Sequence, residues 1–565
     1  MSDEKGISRR TFFKGAAIGA VGVAGVGLLG GCSPKQTNST STQNTSQNGK
    51  YSFEIAPDPI PDSEIKKTVT ADVVVVGAGL AGLCASVSAA QSGAKTVVIE
   101  KRETFTARGM HNAAVGSRVQ KKLGIEINKV QAIRDIVKWS GHRVNESLHW
   151  LWINNSGAAM DWLMDMTEAE GLGTTLWAGH YRGPDYFEYP VTHMFTGSPN
   201  NAFKDTPTAM LDLPKGQDPN FYVAAVLEKN AKKYGASFNY KMPAAQLLRE
   251  KNGRVTGVIA GSKKAGYTKF LANKGVILCA GDYGADKEMV SRYCPEGAMA
   301  DANVYTPPGG NTGDGHKMGL WIGAAMQRCD LHAPMIHTQV GGPSYCFLQV
   351  NKNGERYTNE DITPQAVCMA KMYQPDHIGW AVFDDKYLDE LAQTIELGGG
   401  MFWDSFRRKW GEPWSKEDEK ATIDHYEKAG LVVKANTIKE LAQKMKVPAD
   451  KLKATVERYN ELAKGGQDLD YGKRSQFLFA IDKPPFYGSL MKSGFLVSVG
   501  GLSINNKMQV LDTKGKVIPG LYAAGNNSGE FFALDYPTIF PGHSHGRCIT
   551  FGRIAGAQAA GKPIV

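Results

Sequence analysis

Gly77, Gly79 and Gly82 close the run Ala71-Asp-Val-Val-Val-Val-Gly-Ala-Gly-Leu-Ala-Gly82. This G-x-G-x-x-G spacing is suited to holding a pyrophosphate. The first glycine permits a tight turn and the second lets backbone approach the phosphates. The third lets a helix pack on the strand, with the positive end of its dipole facing the anion. Glu100 follows Lys95-Thr-Val-Val-Ile99, about 20 residues on, where an acid meets a ribose hydroxyl. The elements that must position these groups are a buried strand over 71–76, a helix over 83–91 and a second strand over 95–99. Together they form a βαβ dinucleotide-binding unit.

Two later stretches repeat the theme. Gly275-Val-Ile-Leu-Cys-Ala-Gly281 is an apolar strand with a glycine exit. Ile518-Pro-Gly-Leu-Tyr-Ala-Ala-Gly525 leads toward a helix containing Phe551-Gly-Arg-Ile-Ala-Gly556. A strand running into Ala-Gly and then a helix resembles the returning piece of a flavoprotein fold, which brings a flavin ring to a second helix N-terminus. The cofactor expected is therefore FAD rather than NAD.

With Thr312-Gly-Asp-Gly315, Val350-Asn-Lys-Asn-Gly-Glu-Arg-Tyr-Thr-Asn-Glu360 and the block 522–556, the chain resembles the flavoprotein subunits of the fumarate reductase and 3-ketosteroid dehydrogenase superfamily over about residues 68–560. The fold this implies is α/β, a Rossmann-like FAD-binding domain with an inserted α+β capping domain. Residues 66–339 are the first part of the FAD domain. Residues 340–482 are the mobile cap, with amphipathic helices over 438–445 and 449–462. Residues 483–565 are the return, marked by Pro484-Pro485. The resemblance places Ala78, Gly79, Glu100, Gly109, Ala244, Asp314, Asn526, Ser544 and His545 at the cofactor. Ser544 and His545 would offer backbone amides to the flavin pyrimidine. Asn526 stands where a glutamate commonly meets the ribityl hydroxyls. No histidine or cysteine is placed for a covalent link, so FAD is expected to be noncovalent.

The same resemblance argues against fumarate as substrate. Pro364 occupies the position of the arginine that donates the proton. Leu496-Val-Ser-Val-Gly-Gly501 lacks the substrate histidine before its glycine pair. The clamping arginine of the C-terminal block is absent near Thr538-Ile539. Instead, Asp535-Tyr-Pro-Thr-Ile-Phe-Pro-Gly-His-Ser-His-Gly-Arg547 is similar to the 3-ketosteroid dehydrogenase pattern, in which a tyrosine hydroxyl and a glycine amide polarise an enone carbonyl. Tyr536 and Gly542 are the matching catalytic residues, with His337 near a substrate-facing family histidine. A hydroxyl plus a backbone N–H is a neutral oxyanion-type site, suited to a ketone or a phenol-conjugated alkene. Tyr181, Tyr186, Tyr189 and His193 could line an aromatic pocket.

Composition narrows the classes. The 565 residues carry a formal net charge of +9, of which the first 32 residues contribute +2. The remaining charges are scattered, with no basic block interleaved with aromatics, so nucleic acid is not expected as a partner. The eight cysteines include no C-x-x-C or C-x-x-C-H, which gives no sign of haem, an iron–sulfur cluster or another metal.

Residues 1–32 read as a signal. Ser8-Arg-Arg-Thr-Phe-Phe-Lys14 is a twin-arginine motif, an apolar stretch follows, and Leu29-Gly-Gly-Cys32 ends it as a lipoprotein box. Cys32 would carry the lipid anchor, and residues 33–65 would be a polar tether. This places the enzyme outside the cytoplasm, anchored to the cell membrane. A second G-x-G-x-x-G for NAD(P)H is missing, so electrons are expected from a separate membrane or periplasmic cytochrome. The function expected is an exported FAD-dependent reductase of an activated C=C bond, enone or aryl-alkene in type, serving terminal electron disposal. The alternatives are a 3-ketosteroid-type dehydrogenase and a non-catalytic flavin- or ligand-binding lipoprotein.

Overall fold

Val73 to Val76 are buried, and the computed structural model shows why a continuous apolar run stands there. The structure describes residues 50–177, 188–196, 219–305, 308–340, 346–397 and 414–565. The first strand, β1 (Ile65–Val76), lies inside a parallel sheet. The chain turns at the glycines into α1 (Leu80–Gln91) and returns as β2 (Thr96–Ile99). It adds β3 (Ser237–Asn239) and β4 (Gly266–Leu278), then α2 (Asp314–Trp321). Much later it completes the sheet with β5 (Val517–Ala523) and packs α3 (His543–Ala559) against it.

The strand order is Gln509–Leu511, β5, β4, β1, β2, β3. All pairs from β5 to β3 are parallel. Val73 to Val76 sit opposite Thr96 to Ile99 on one side and Gly275 to Leu278 on the other. A strand paired on both edges in a parallel sheet has no solvent face, so it shows no polar alternation. Helix α1 begins at Leu80 rather than at residue 83, because Gly79 itself is the N-cap. Every residue of α1 except Gln91 is buried. Helix α3 crosses it at close range. A Cβ on Gly552 would come 2.5 Å from the Ala81 carbonyl oxygen, and one on Gly556 2.3 Å from that of Ala85. Only glycine permits that approach.

Two boundaries differ from the sequence expectation. Residues 50–64, assigned to the tether, dock on the body. Phe53 is buried, its carbonyl accepts the Trp321 indole N–H at 2.9 Å, and the Ser52 N–H donates to Glu288 at 3.0 Å. Phe53, with Tyr51 stacked on it at 5.3 Å, anchors the run. At the other end, Phe486–Leu490 is not part of the return. It pairs antiparallel with Gly379–Asp384 and Val432–Ala435 in the inserted four-stranded sheet, so the return starts near Met491. The insert carries helices Ile438–Met445 and Ala449–Gly465, which bury Leu441, Leu452 and Val456 against that sheet.

The insert is tied together by a buried charge network. Glu360 is fully buried. It accepts from Arg356 at 2.9 and 2.7 Å, from Lys473 at 3.2 Å and from the Gln349 N–H at 3.1 Å. Arg356 also pairs with Asp468. Glu360→Ala would leave the wholly buried Lys473 ammonium without its carboxylate. We expect a loss of about 3–5 kcal/mol of stability, read as a lower denaturant midpoint of the holoenzyme. An unchanged midpoint would rule out this role.

Candidate active site

The dinucleotide end is built at the mouth of β1, β2 and β4. Gly77 has φ +103°, and a Cβ there would lie 2.4 Å from the Cys279 carbonyl oxygen. A Cβ on Gly82 would lie 2.0 Å from the Gly77 carbonyl oxygen. These two glycines are demanded by the protein's own backbone. Gly79 is different: its added Cβ would meet only the Thr106 carbonyl oxygen, at 3.6 Å. The space before it is an open cradle at the N-terminus of α1, where an anion fits. Glu100, buried at the end of β2, accepts the Ala78 N–H at 2.8 Å and the Arg102 N–H at 3.0 Å. Its carbonyl accepts the Met242 N–H at 2.8 Å, which brings Ala244, first residue of Ala244–Arg249, to the same edge. Asp314 opens α2. It pairs with Lys101 at 2.9 Å and accepts the Thr312 hydroxyl at 2.7 Å. Ala78, Gly79, Glu100, Ala244 and Asp314 are thus placed around one end of the sheet.

The second end is the N-terminus of α3. Its N-cap, Gly542, has φ +84°, and a Cβ there would lie 2.4 Å from His111 backbone. Gly109 has φ +74° and faces the His545 ring, which a Cβ would approach to 2.6 Å. His545 Nδ1 lies 2.8 Å from the His111 carbonyl oxygen, and burial pushes its pKa down to about 4, so the ring is neutral at pH 7. Asn526 Oδ1 accepts from Arg547 at 2.6 Å and from the Ser544 hydroxyl at 3.5 Å. Tyr536 is buried, and its oxygen accepts the Ser544 N–H at 2.9 Å. Burial pushes this hydroxyl up to about 12, opposed by the Ser544 N–H and by the Arg547 charge. The Tyr536 oxygen and the Gly542 turn therefore meet at one helix end.

Two expectations change. The Ser544 amide, expected for a flavin pyrimidine, is held by Tyr536, because a helix N-terminus leaves its first amides free and the nearest acceptor takes one. The His545 amide has no partner among the described residues. His543 does not face a polar site. It is wholly buried against Trp152, Phe531 and Phe540, with both ring nitrogens unpartnered. His193 and Tyr189 are packed rather than pocket-lining. His193 bonds the Ser117 hydroxyl at 2.6 Å, and the Tyr189 hydroxyl donates to Asp135 at 2.6 Å. Tyr181 and Tyr186 lie outside the described residues, as do residues 1–49 with Cys32.

His337 sits half-buried on Pro334–Val340, opposite Gly494 of Lys492–Ser498. Leu496 is two residues further along that partner strand. Pro364 is the first residue of the helix Pro364–Met372, capped by the Thr363 hydroxyl accepting the Ala366 N–H at 3.0 Å. Proline suits that position because its missing N–H would have no helical partner.

Sequence reasoning overlooked Asn527, His316 and Arg547. Asn527 accepts the Ala280 N–H at 2.5 Å. Its amide donates to the Gly281 carbonyl at 3.0 Å and to His316 Nδ1 at 3.1 Å. His316 Nε2 then donates to the Asn526 carbonyl at 3.0 Å, so its tautomer is fixed, and burial holds its pKa near 4. Arg547 is fully buried, and among the described residues its hydrogen-bond partners are neutral oxygens: Asn526 Oδ1 and the carbonyls of Ser528 and Val499. Nothing in the local sequence marks these three. Their partners lie up to about 250 residues away.

A family model described as an FAD binding domain matches residues 72–534. A vinyl phenol reductase of Lactiplantibacillus plantarum is 26% identical over 518 residues, covering 86% of this chain and 96% of the relative. A urocanate reductase of Eggerthella lenta is 28% identical over 526 residues, covering 89% and 76%. Among solved structures, the open conformation of a flavocytochrome c3 fumarate reductase superposes with a TM-score of 0.64 at 25% identity, covering 91% of this chain and 83% of that one. The open cradle at Gly79 and the acid at Glu100 fit the dinucleotide that such a match implies.

Proposed function

We propose, from the premise that this chain belongs to the FAD binding domain family and is an FAD-dependent oxidoreductase acting on C=C bonds, that it reduces an enone or aryl-alkene rather than fumarate. The observation that carries this reading is the Tyr536 hydroxyl beside the Gly542 turn, with Pro364 and Leu496 at the positions of a dicarboxylate's partners. FAD held at this site would, when reduced, supply the hydride for the electron-poor carbon. Tyr536 holds a proton at its oxygen, and the Ser544 N–H donates to that same oxygen, which stabilises the phenolate left when the proton moves. The Gly542 amide polarises the substrate oxygen. His337 stands on the neighbouring sheet as a further substrate contact. A dianion entering this site would lose its hydration without the proton-donating and clamping arginines that the fumarate reductases use, a cost of several kcal/mol.

The test is turnover with reduced viologen as donor against enones, hydroxystyrenes and fumarate. Reduction of at least one conjugated ketone or phenolic alkene, with fumarate inert, is the expected result. Efficient fumarate reduction would sink it. Artificial acceptors in place of donors separate the dehydrogenase direction.

The cofactor is held noncovalently on this reading, by Ala78, Gly79, Glu100, Gly109, Ala244, Asp314, Asn526 and the His545 amide. Acid precipitation should release FAD into a yellow supernatant, and colour left in the pellet would refute it. The leader supports export and a lipid anchor at Cys32, with electrons delivered by a separate cytochrome. Cys32→Ala should move the protein from the membrane to the soluble fraction. If it sediments with membranes as before, the anchor lies elsewhere.

A further inference from the structure

Arg108 is used by none of the roles above, yet it stands at the flavin end of the site. It precedes Gly109, which packs on His545, and its carbonyl accepts the Asn220 amide at 3.3 Å. Its side chain is held from two directions. The guanidinium carbon lies 3.7 Å from the centroid of the Tyr305 ring, and Nη2 donates to the Leu496 carbonyl at 3.2 Å. Leu496 is where the superfamily's substrate histidine is missing. The third group, Nη1, is buried and has no partner among the described residues.

A second set of unmet groups lies near by. Asp282 is wholly buried. Its Oδ1 accepts the Gly284 N–H at 2.7 Å and the Asn311 amide at 2.8 Å, while its Oδ2 and the Asn311 Oδ1 have no partner. The Arg108 charge acts on Asp282. Buried donors and acceptors left open on both sides are costly, at about 1–3 kcal/mol each, unless a ligand meets them.

We propose that Arg108 recognises the substrate, its Nη1 donating to one oxygen conjugated to the reducible alkene, phenolic or carboxylate. The inference rests on the alkene-reductase reading and names the residue that selects within that class. A planar guanidinium pinned on an aromatic ring has little freedom left to lose on binding, so its one open N–H is preorganised. It offers one cationic site, which suits a substrate with a single oxyanion and not a dianion.

The test uses the holoenzyme with Arg108→Met and Arg108→Lys. The probes are 4-hydroxystyrene, cinnamate and styrene with reduced viologen. Arg108→Met should raise KM for the oxygen-bearing probe by roughly 10–100-fold, the worth of one charge-assisted hydrogen bond, with a smaller change for styrene and FAD content unchanged. The lysine variant should recover part of the loss. Which oxygen matters follows from whether hydroxystyrene or cinnamate suffers. An unchanged KM overturns the proposal, as does an equal loss on styrene. Arg108→Met protein purified without flavin would assign the guanidinium to the cofactor and overturn it too. If the wild type turns over none of the probes, the alkene reading fails first. Titration of the oxidised holoenzyme with 4-ethylphenol and hydrocinnamate, followed by flavin absorbance, then decides the role of Arg108. The same weakening in Kd supports it, and equal binding by wild type and variant refutes it.

Discussion

Gly79→Val is expected to give a folded protein that purifies colourless. The argument lies in the contrast among the three glycines. Gly77 and Gly82 face backbone at 2.4 and 2.0 Å, so a side chain at either would disturb the strand–helix junction itself. At Gly79 the nearest protein atom to an added Cβ is a carbonyl oxygen at 3.6 Å, and φ is −82°, which any residue adopts. A valine there would enter the cradle rather than the protein. It would displace the pyrophosphate from the N-terminal amides of α1. Losing two charge-assisted hydrogen bonds amounts to about 4 kcal/mol, a factor of roughly 10³ in affinity. Visible absorbance per mole of protein measures this, with far-ultraviolet circular dichroism as the control for folding. Full flavin occupancy in Gly79→Val would mean the phosphates lie elsewhere.

Tyr536→Phe is the second large effect. Removing the hydroxyl leaves the ring, which stacks on Phe532 at 5.4 Å, so the packing survives. The Ser544 N–H loses its acceptor. If the hydroxyl is the acid, turnover should fall by roughly 10²-fold or more while bound FAD stays constant. The same hydroxyl shapes the pH profile. Its pKa is raised to about 12, so the acid is fully protonated across the neutral range. Activity should show no loss from its ionisation until strongly alkaline pH. Wild-type-like turnover in Tyr536→Phe would move the acid elsewhere, with His337 the next residue to replace.

The strand–turn–helix core was legible because its causes are local. Four valines followed by three glycines admit few other structures, and Glu100 needed only its distance from them. The inserted helices were legible from their apolar spacing. The polar detail was not. Tyr536 could be named, but the capture of the Ser544 amide depends on how residues 536–542 fold back on the helix they precede. Asn527 and His316 act through carbonyls of Gly281 and Asn526, groups that carry no sequence identity. Phe53 was hidden in a polar stretch, and Phe486–Leu490 stood behind a proline pair that looked like a boundary.

The order of the strands in the central sheet has a consequence for synthesis. β4 is flanked by β1 and by β5, and α1 is covered by α3, which leaves the ribosome about 450 residues after it. The face of this buried helix that α3 covers must therefore wait for the return segment. Of the residues proposed to hold FAD, Asn526 and His545 arrive only with β5 and α3. Cofactor loading is thus tied to synthesis of the return segment, and a chain cut short before β5 would present apolar surface in place of a cofactor site.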